Sequence, residues 1–143
     1  MKKINLFVYG SLREGFFNYD KYLAGKVVEK KDAILENMRL YHMPYKGYPA
    51  ITPGNDKVLG EIMVINEEEY DETVKDMDEM EGFISENNPE NEYHKIVLEV
   101  KNIQTNEKEK CFVYFYNKDK DKVFDSESVY IPNGDWKEYM LTK

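Results

Sequence analysis

Cysteine is almost absent from this chain, because Cys111 is the only one in 143 residues. A lone thiol cannot form an internal disulfide, so the sequence predicts a protein of a reducing, cytoplasmic compartment. Long apolar runs are absent as well, and no stretch approaches the length that spans a bilayer. The short run after Lys2 and Lys3 soon reaches Gly10 and Arg13, which is unlike a secretory signal. We therefore expect neither export nor a membrane partner.

Arginine and histidine are also scarce. The chain has two arginines, Arg13 and Arg39, and a net charge of −8, whereas nucleic-acid binding needs many basic contacts to phosphate. His42 and His94 lie far apart and have no ligand partners at metal-binding spacing. These deficits argue against a nucleic-acid partner and against a metal site.

Branched and aromatic residues mark several short strands, and 41% hydrophobic residues suffice for the core of one domain, residues 1–143. The Gly- and Pro-rich segment 45–56 is predicted to be a loop or an irregular edge. No regular alternation of strand and helix is present, which favours an α+β fold with a small mixed β-barrel-like sheet and flanking helices. Strands are predicted at 4–9, 26–43, 58–65, 93–103 and 110–116, the last two as a hairpin.

Helices are predicted at 16–23, at 66–82 and, briefly, at the C-terminus, where Trp136 is expected to turn inward. The strongest pattern is that of 66–82. Asn66 can cap its beginning and Gly82 can close its end, while apolar residues recur at helical spacing between them.

Glu81 is the first candidate for chemistry. It lies in the last turn of this helix, where the negative end of the helix dipole disfavours a carboxylate, and Asp78 shares its face. Both effects should raise the pKa of Glu81 towards neutrality, as a general acid/base requires. From position alone, the ordinary interpretation of Glu81 is that of one surface acid among many, since the chain has 28 aspartates and glutamates.

The second candidate is the bend after the first strand. A strand that turns sharply at Gly10 can direct the backbone N–H groups of Gly10, Ser11 and Leu12 into one concavity, which would bind anionic oxygens. Taken alone, the pattern is also that of a plain turn.

Seven segments, taken in their order, extend the pattern over nearly the whole chain. Together they resemble the γ-glutamylcyclotransferase-like superfamily, especially its bacterial γ-glutamylamine cyclotransferase and AIG2-like branch. The segments are YGSL, GYPAI, VLGEIMVI, MDEMEG, EYHKIVLEV, CFVYFYN and GDWKEY. The resemblance implies a small mixed barrel flanked by helices. It also implies a small-molecule γ-glutamyl substrate and a reaction that needs no cofactor.

The resemblance assigns roles to individual residues. It implies that Glu81 is the catalytic acid/base and that a tyrosine on the last hairpin strand, Tyr114, lines the substrate pocket. It further implies a substrate-binding loop formed by Tyr9, Gly10, Ser11 and Leu12.

The reaction implied is ring closure of a γ-glutamyl amine or γ-glutamyl amino acid to 5-oxoproline, with release of the free amine. Recognition of that amine is expected from rim residues within 45–53 and 83–92. The alternative, from a different class, is a non-catalytic small-molecule-binding or interaction module on the same fold.

Overall fold

The computed structural model describes residues 3–142. Within this range no helix is long and apolar enough to cross a membrane. Six strands are found there: β1 Asn5–Val8, β2 Val27–Met43, β3 Tyr48–Ile65, β4 Tyr93–Asn102, β5 Lys108–Tyr116 and β6 Val129–Ile131. The helices are α1 Tyr70–Met80, α2 Phe124–Glu127 and α3 Trp136–Thr142, with a π-helical turn at Tyr19–Leu23 and 3₁₀ turns at Glu67–Glu69 and Lys118–Lys120.

Five of the strands in this range close into a barrel. The order β3-β1-β5-β4-β2 is completed by pairing of β2 with β3, and β6 extends the sheet beside β2. The β1–β5 pair is parallel, with Phe7 opposite Val113, whereas the other neighbours are antiparallel. The predicted α+β fold with a small mixed barrel is therefore confirmed.

Alternating side chains of β1 show how the two faces of the barrel wall are used. Phe7 and Tyr9 join a buried cluster that receives residues from all five barrel strands, so this cluster fills the interior. Leu6 and Val8 face the other way and pack with Met77 of α1 in a second buried cluster. The helix thus covers one outer face of the barrel. Trp136, at the start of α3, is buried with the inner cluster, as predicted.

The predicted alternative of a loop at 45–56 is wrong from Tyr48 onward, whereas the alternative of an irregular edge is confirmed by the first part of β3. Its first part pairs only with β2, since β1 pairs no earlier than Glu61. One side of the strand is therefore unpaired along this stretch, and a proline without an N–H is tolerated there. Strand β6 was not predicted, because three residues carry too little periodicity.

The turn between β6 and α3 is packed directly against β3. Gly134 has a φ of 71°, its carbonyl oxygen accepts a hydrogen bond from the Leu59 amide at 2.8 Å, and a Cβ atom there would lie 1.9 Å from the Lys57 carbonyl oxygen. Gly25 has a similar φ of 81°, but a Cβ atom there would meet nothing within 4 Å.

We predict that Gly134→Ala lowers the free energy of unfolding by about 3 kcal/mol or more, through backbone strain together with a clash that moves β3. Gly25→Ala, the matched control, should cost only about 1–2 kcal/mol, because it carries the strain alone. Urea denaturation of both variants measures the difference. Equal losses would show that the contact with Lys57 contributes nothing.

Candidate functional site

A small cavity lies at one rim of the barrel, where β1 ends and β4 begins. Its volume is about 90 Å³. It is lined by every residue that the sequence analysis placed at the site: Tyr9, Gly10, Ser11, Leu12, Glu81 and Tyr114. Seven further residues line it. Tyr48, Pro49 and Glu92 fall within the predicted rim segments 45–53 and 83–92, whereas Phe7, Val8, Met80 and Tyr93 were not predicted at the site.

The chain bends sharply as it leaves β1. The Tyr9 hydroxyl donates a hydrogen bond to the Tyr114 carbonyl oxygen at 2.6 Å, and the Arg13 amide donates to the Gly10 carbonyl oxygen at 2.9 Å. Gly10 lies so close to Pro49 that a Cβ atom there would come within 2.4 Å of the proline ring. A side chain at position 10 would therefore push the cavity wall outward.

Three backbone amides in this bend remain available to a ligand. The N–H groups of Gly10, Ser11 and Leu12 donate no hydrogen bond to another residue within 3–142. Ser11 is held from the side, because Asn18 donates to its hydroxyl oxygen at 2.8 Å. Successive amides of this kind can bind a carboxylate or carbonyl oxygen.

A buried ion cluster fastens the bend to the barrel. Glu61 of β3 is only 2% exposed, and its carboxylate accepts hydrogen bonds from Arg13 Nε at 3.2 Å and from the Glu14 amide at 3.1 Å. Arg13 also donates from Nη1 to Asp135 at 3.0 Å. Removing Arg13 would leave the buried carboxylate of Glu61 without a counter-ion, so the cluster keeps the bend in place. No sequence pattern indicated it, because Arg13 and Glu61 belong to separate elements.

Glu81 lies at the point where α1 ends. Gly82 adopts a φ of 70°, and the Phe83 amide donates back to the Asp78 carbonyl oxygen at 2.9 Å, which closes the helix as predicted. The amide of Tyr93, the first residue of β4, donates to the Glu81 carbonyl oxygen at 3.2 Å. Glu81 is therefore fixed between the end of the helix and the start of β4.

The electrostatic environment of Glu81 disfavours its ionised form. Burial, then the charge of Glu92, then that of Asp78 raise the pKa of Glu81 to about 8. No residue within 3–142 donates a hydrogen bond to this carboxyl group. The predicted increase in pKa and the part of Asp78 are confirmed. The larger contribution of Glu92 was missed, because the segment 83–92 showed only a polar loop.

Three tyrosines around the cavity already donate their hydroxyl protons to hydrogen bonds within the protein. Tyr9 donates to the Tyr114 carbonyl oxygen, Tyr93 donates to the Pro49 carbonyl oxygen at 2.7 Å, and Tyr114 donates to Asp78 Oδ1 at 2.6 Å. Burial raises the pKa of all three hydroxyls above the ordinary value for tyrosine. A hydroxyl has one proton, so toward a ligand these oxygens can act only as acceptors.

Lys95 of β4 forms an ion pair with Asp78, the carboxylate of α1 that raises the pKa of Glu81. Its ammonium lies 2.9 Å from Asp78 Oδ2 and sits 5.1 Å and 4.8 Å from the ring centroids of Phe83 and Phe112. Contact with two aromatic faces favours a cation in this partly buried position. The sequence could not reveal this pairing, which depends on how α1 packs beside β4.

Residues 6–138 match the family described as gamma-glutamyl cyclotransferase, AIG2-like. A curated relative is the gamma-L-glutamyl-butirosin B gamma-glutamyl cyclotransferase of Niallia circulans. It is 28% identical over 137 residues, which make up 96% of this chain and 78% of the relative.

Solved structures share the fold at low sequence identity. An uncharacterised protein from Pyrococcus horikoshii aligns with a TM-score of 0.61 and 23% identity, covering 98% of this chain and 95% of that one. An AIG2-like protein from Mus musculus aligns with a TM-score of 0.58 and 21% identity, covering 78% of this chain and 76% of that one.

We predict that Lys95→Met raises the pKa of the Glu81 carboxyl by about half a unit to one unit, because the charge of Asp78 then acts on Glu81 without compensation. Lys95→Arg keeps the charge and should give a smaller change. Lys101→Met, near the far end of β4, is the control. ¹³C NMR titration of the Glu81 side chain measures each pKa directly, and an unchanged or lower value in Lys95→Met would contradict the assignment.

Proposed function

Because the chain belongs to the gamma-glutamyl cyclotransferase, AIG2-like family, we propose that it closes a γ-glutamyl amide to 5-oxoproline and releases the attached amine. One observation carries the proposal: the carboxyl group of Glu81 and the amide-lined bend at Gly10, Ser11 and Leu12 face the same small cavity. The name of the Niallia circulans relative, a gamma-glutamyl cyclotransferase, supports the same class of reaction.

The polarity of the cavity fits the two ends of a γ-glutamyl group. The amides of the bend offer only donors, which suit the substrate's carboxylate and carbonyl oxygens. Another part of the wall offers acceptors, namely the carboxyl groups of Glu81 and Glu92 and the tyrosine oxygens. An α-ammonium group placed beside that wall would relieve the repulsion between the two carboxylates.

Ring closure then proceeds inside one molecule. Glu81, as carboxylate, takes a proton from the α-ammonium group, and the neutral amine attacks the γ-carbonyl carbon to form the new C–N bond. Because the nucleophile and the carbonyl belong to the same folded chain, little association entropy is lost. The amides of the bend stabilise the oxyanion that develops on the carbonyl oxygen.

Collapse of this intermediate breaks the original amide bond. Glu81 gives its proton to the leaving nitrogen, and the ring nitrogen releases one more proton by the same route. The products are 5-oxoproline and an ammonium ion, so the protons balance. The tyrosine hydroxyls take no part as acids, since burial keeps them protonated.

We predict that Glu81→Gln lowers kcat for 5-oxoproline release by about 100-fold or more, because the amide can neither take nor give the proton. Glu79→Gln, at an exposed position on another face of the same helix, is the matched control and should retain turnover. Chromatographic assay of 5-oxoproline from a panel of γ-glutamyl amino acids and amines measures both.

Folding is checked separately. The pKa of Glu81 is higher in the folded protein than the unfolded value of 4.5, so the wild type loses stability as pH rises from 4.5 to about 8. Glu81→Gln should therefore be at least as stable as the wild type above pH 8. Near-normal turnover by this variant would refute the catalytic assignment. Saturable binding without 5-oxoproline release by the wild type would support the non-catalytic binding module.

We also predict that kcat/KM of the wild type rises with pH up to about 8 and then levels, because a carboxylate is needed and the pKa of Glu81 in the free enzyme is about 8. Initial rates at low substrate concentration across this range give the profile. A profile that is flat from about pH 6 to about pH 8 would show that another group, or none, limits the acidic side.

A further inference from the structure

A second, larger hollow adjoins the cavity. Its volume is about 520 Å³, and Glu92 lines both spaces. We call it the lysine hollow after three of its lining residues, Lys46, Lys120 and Lys122. Its remaining walls come from the turn before β3 and from the segment after β5.

The size of the inner cavity limits what it can hold. A water-sized group needs about 10–15 Å³ of such space, so 90 Å³ accommodates roughly six to nine groups. A γ-glutamyl group has nine non-hydrogen atoms and would fill the cavity by itself. Whatever is attached to its γ-carbonyl must extend past Glu92, and the lysine hollow is the space that continues from there.

Lys46 stands at the junction of the two spaces. Its ammonium lies 2.9 Å from Glu92 Oε2 and 5.9 Å from the ring centroid of Tyr116. The turn that carries Lys46 is held by its own backbone, because the amides of Lys46 and Gly47 both donate to the Met43 carbonyl oxygen, at 3.0 Å and 2.8 Å. An ammonium keeps donors to spare after one ion pair.

The two acidic residues of the lysine hollow, Asp121 and Glu92, already have hydrogen-bond or ion-pair partners. Asp121 Oδ2 accepts hydrogen bonds from the Tyr45 and Tyr116 hydroxyls at 2.5 Å and 2.6 Å, and Oδ1 accepts from the Val123 amide at 3.0 Å. Glu92 is paired with Lys46. Three lysines and two acidic residues line the hollow, and Lys120 also donates to the Glu90 carbonyl oxygen at 2.7 Å. A ligand entering here therefore meets one more ammonium group than carboxylates, although the chain as a whole has a net charge of −8.

We propose that the lysine hollow binds the departing part of the substrate and selects an amino acid with a free carboxylate over an amine without one. The assignment rests on the proposed function and adds the class of the leaving group to it. Lys46, nearest the inner cavity, would bind the carboxylate, and Lys122 would contribute from the outer side. Both act on substrate binding, so their loss should raise KM more than it lowers kcat.

The test uses two substrates that differ only in the carboxylate, γ-glutamyl-L-alanine and γ-glutamyl-L-alaninamide. The acid gains a charge-assisted hydrogen bond that the amide lacks, so the wild type should prefer the acid by about tenfold or more in kcat/KM. Lys46→Gln and Lys122→Glu should each reduce this ratio, mainly through KM for the acid. Lys75→Gln, on the exposed side of α1, is the matched control and should leave the ratio unchanged.

Two failures can be told apart. If the wild type converts both substrates equally, or prefers the amide, and the lysine variants do not change the ratio, the assignment of the lysine hollow is overturned while the proposed function stands. If the wild type releases no 5-oxoproline from either compound, the proposed function fails. In that case the affinity of the wild type for each compound, measured by calorimetry, tests the assignment of the lysine hollow separately. Tenfold tighter binding of γ-glutamyl-L-alanine than of γ-glutamyl-L-alaninamide supports the assignment, and equal binding overturns it.

Discussion

The parallel pairing of β1 with β5 is the constraint on which the site depends. Parallel neighbours end at the same edge of a sheet, so the bend after β1 emerges beside the end of β5. Because β4 runs antiparallel to β5, its first residue, Tyr93, lies at that edge too. The end of α1 joins the same rim through the hydrogen bond between Tyr93 and Glu81. Four distant parts of the chain are thus brought around one cavity by the closure of the barrel.

Much of the fold could be predicted because its signals are local. The runs that became β1, β4 and β5 are rich in branched and aromatic residues, and Asn66 and Gly82 mark the limits of the helical segment. The early part of β3 could be predicted only as a loop or an irregular edge, because prolines normally argue against strands, and only the barrel shows that this stretch is a strand with one unpaired side. Local composition cannot report which strand sides are paired.

The candidate site could be predicted where a residue's role follows from its position in one element. Glu81 was found at a helix end and Gly10 at a strand end. The electrostatic effects of Glu92 and Lys95 were missed, because each depends on its distance from a charge on another element, and such distances exist only after folding. The pKa of Glu81 could be given a direction from the sequence, but its principal cause, burial, comes from the packed cavity wall.

The fixed hydroxyl protons of Tyr9, Tyr93 and Tyr114 also bear on inhibition of this protein. A blocker that carries a carbonyl oxygen on that side would find no complementary donor among these phenols and would lose the water it displaced. A compact compound with a permanent positive charge at one end and an anionic oxygen at the other would match both walls without any rearrangement, so the starting points for inhibitor chemistry are small rigid zwitterions.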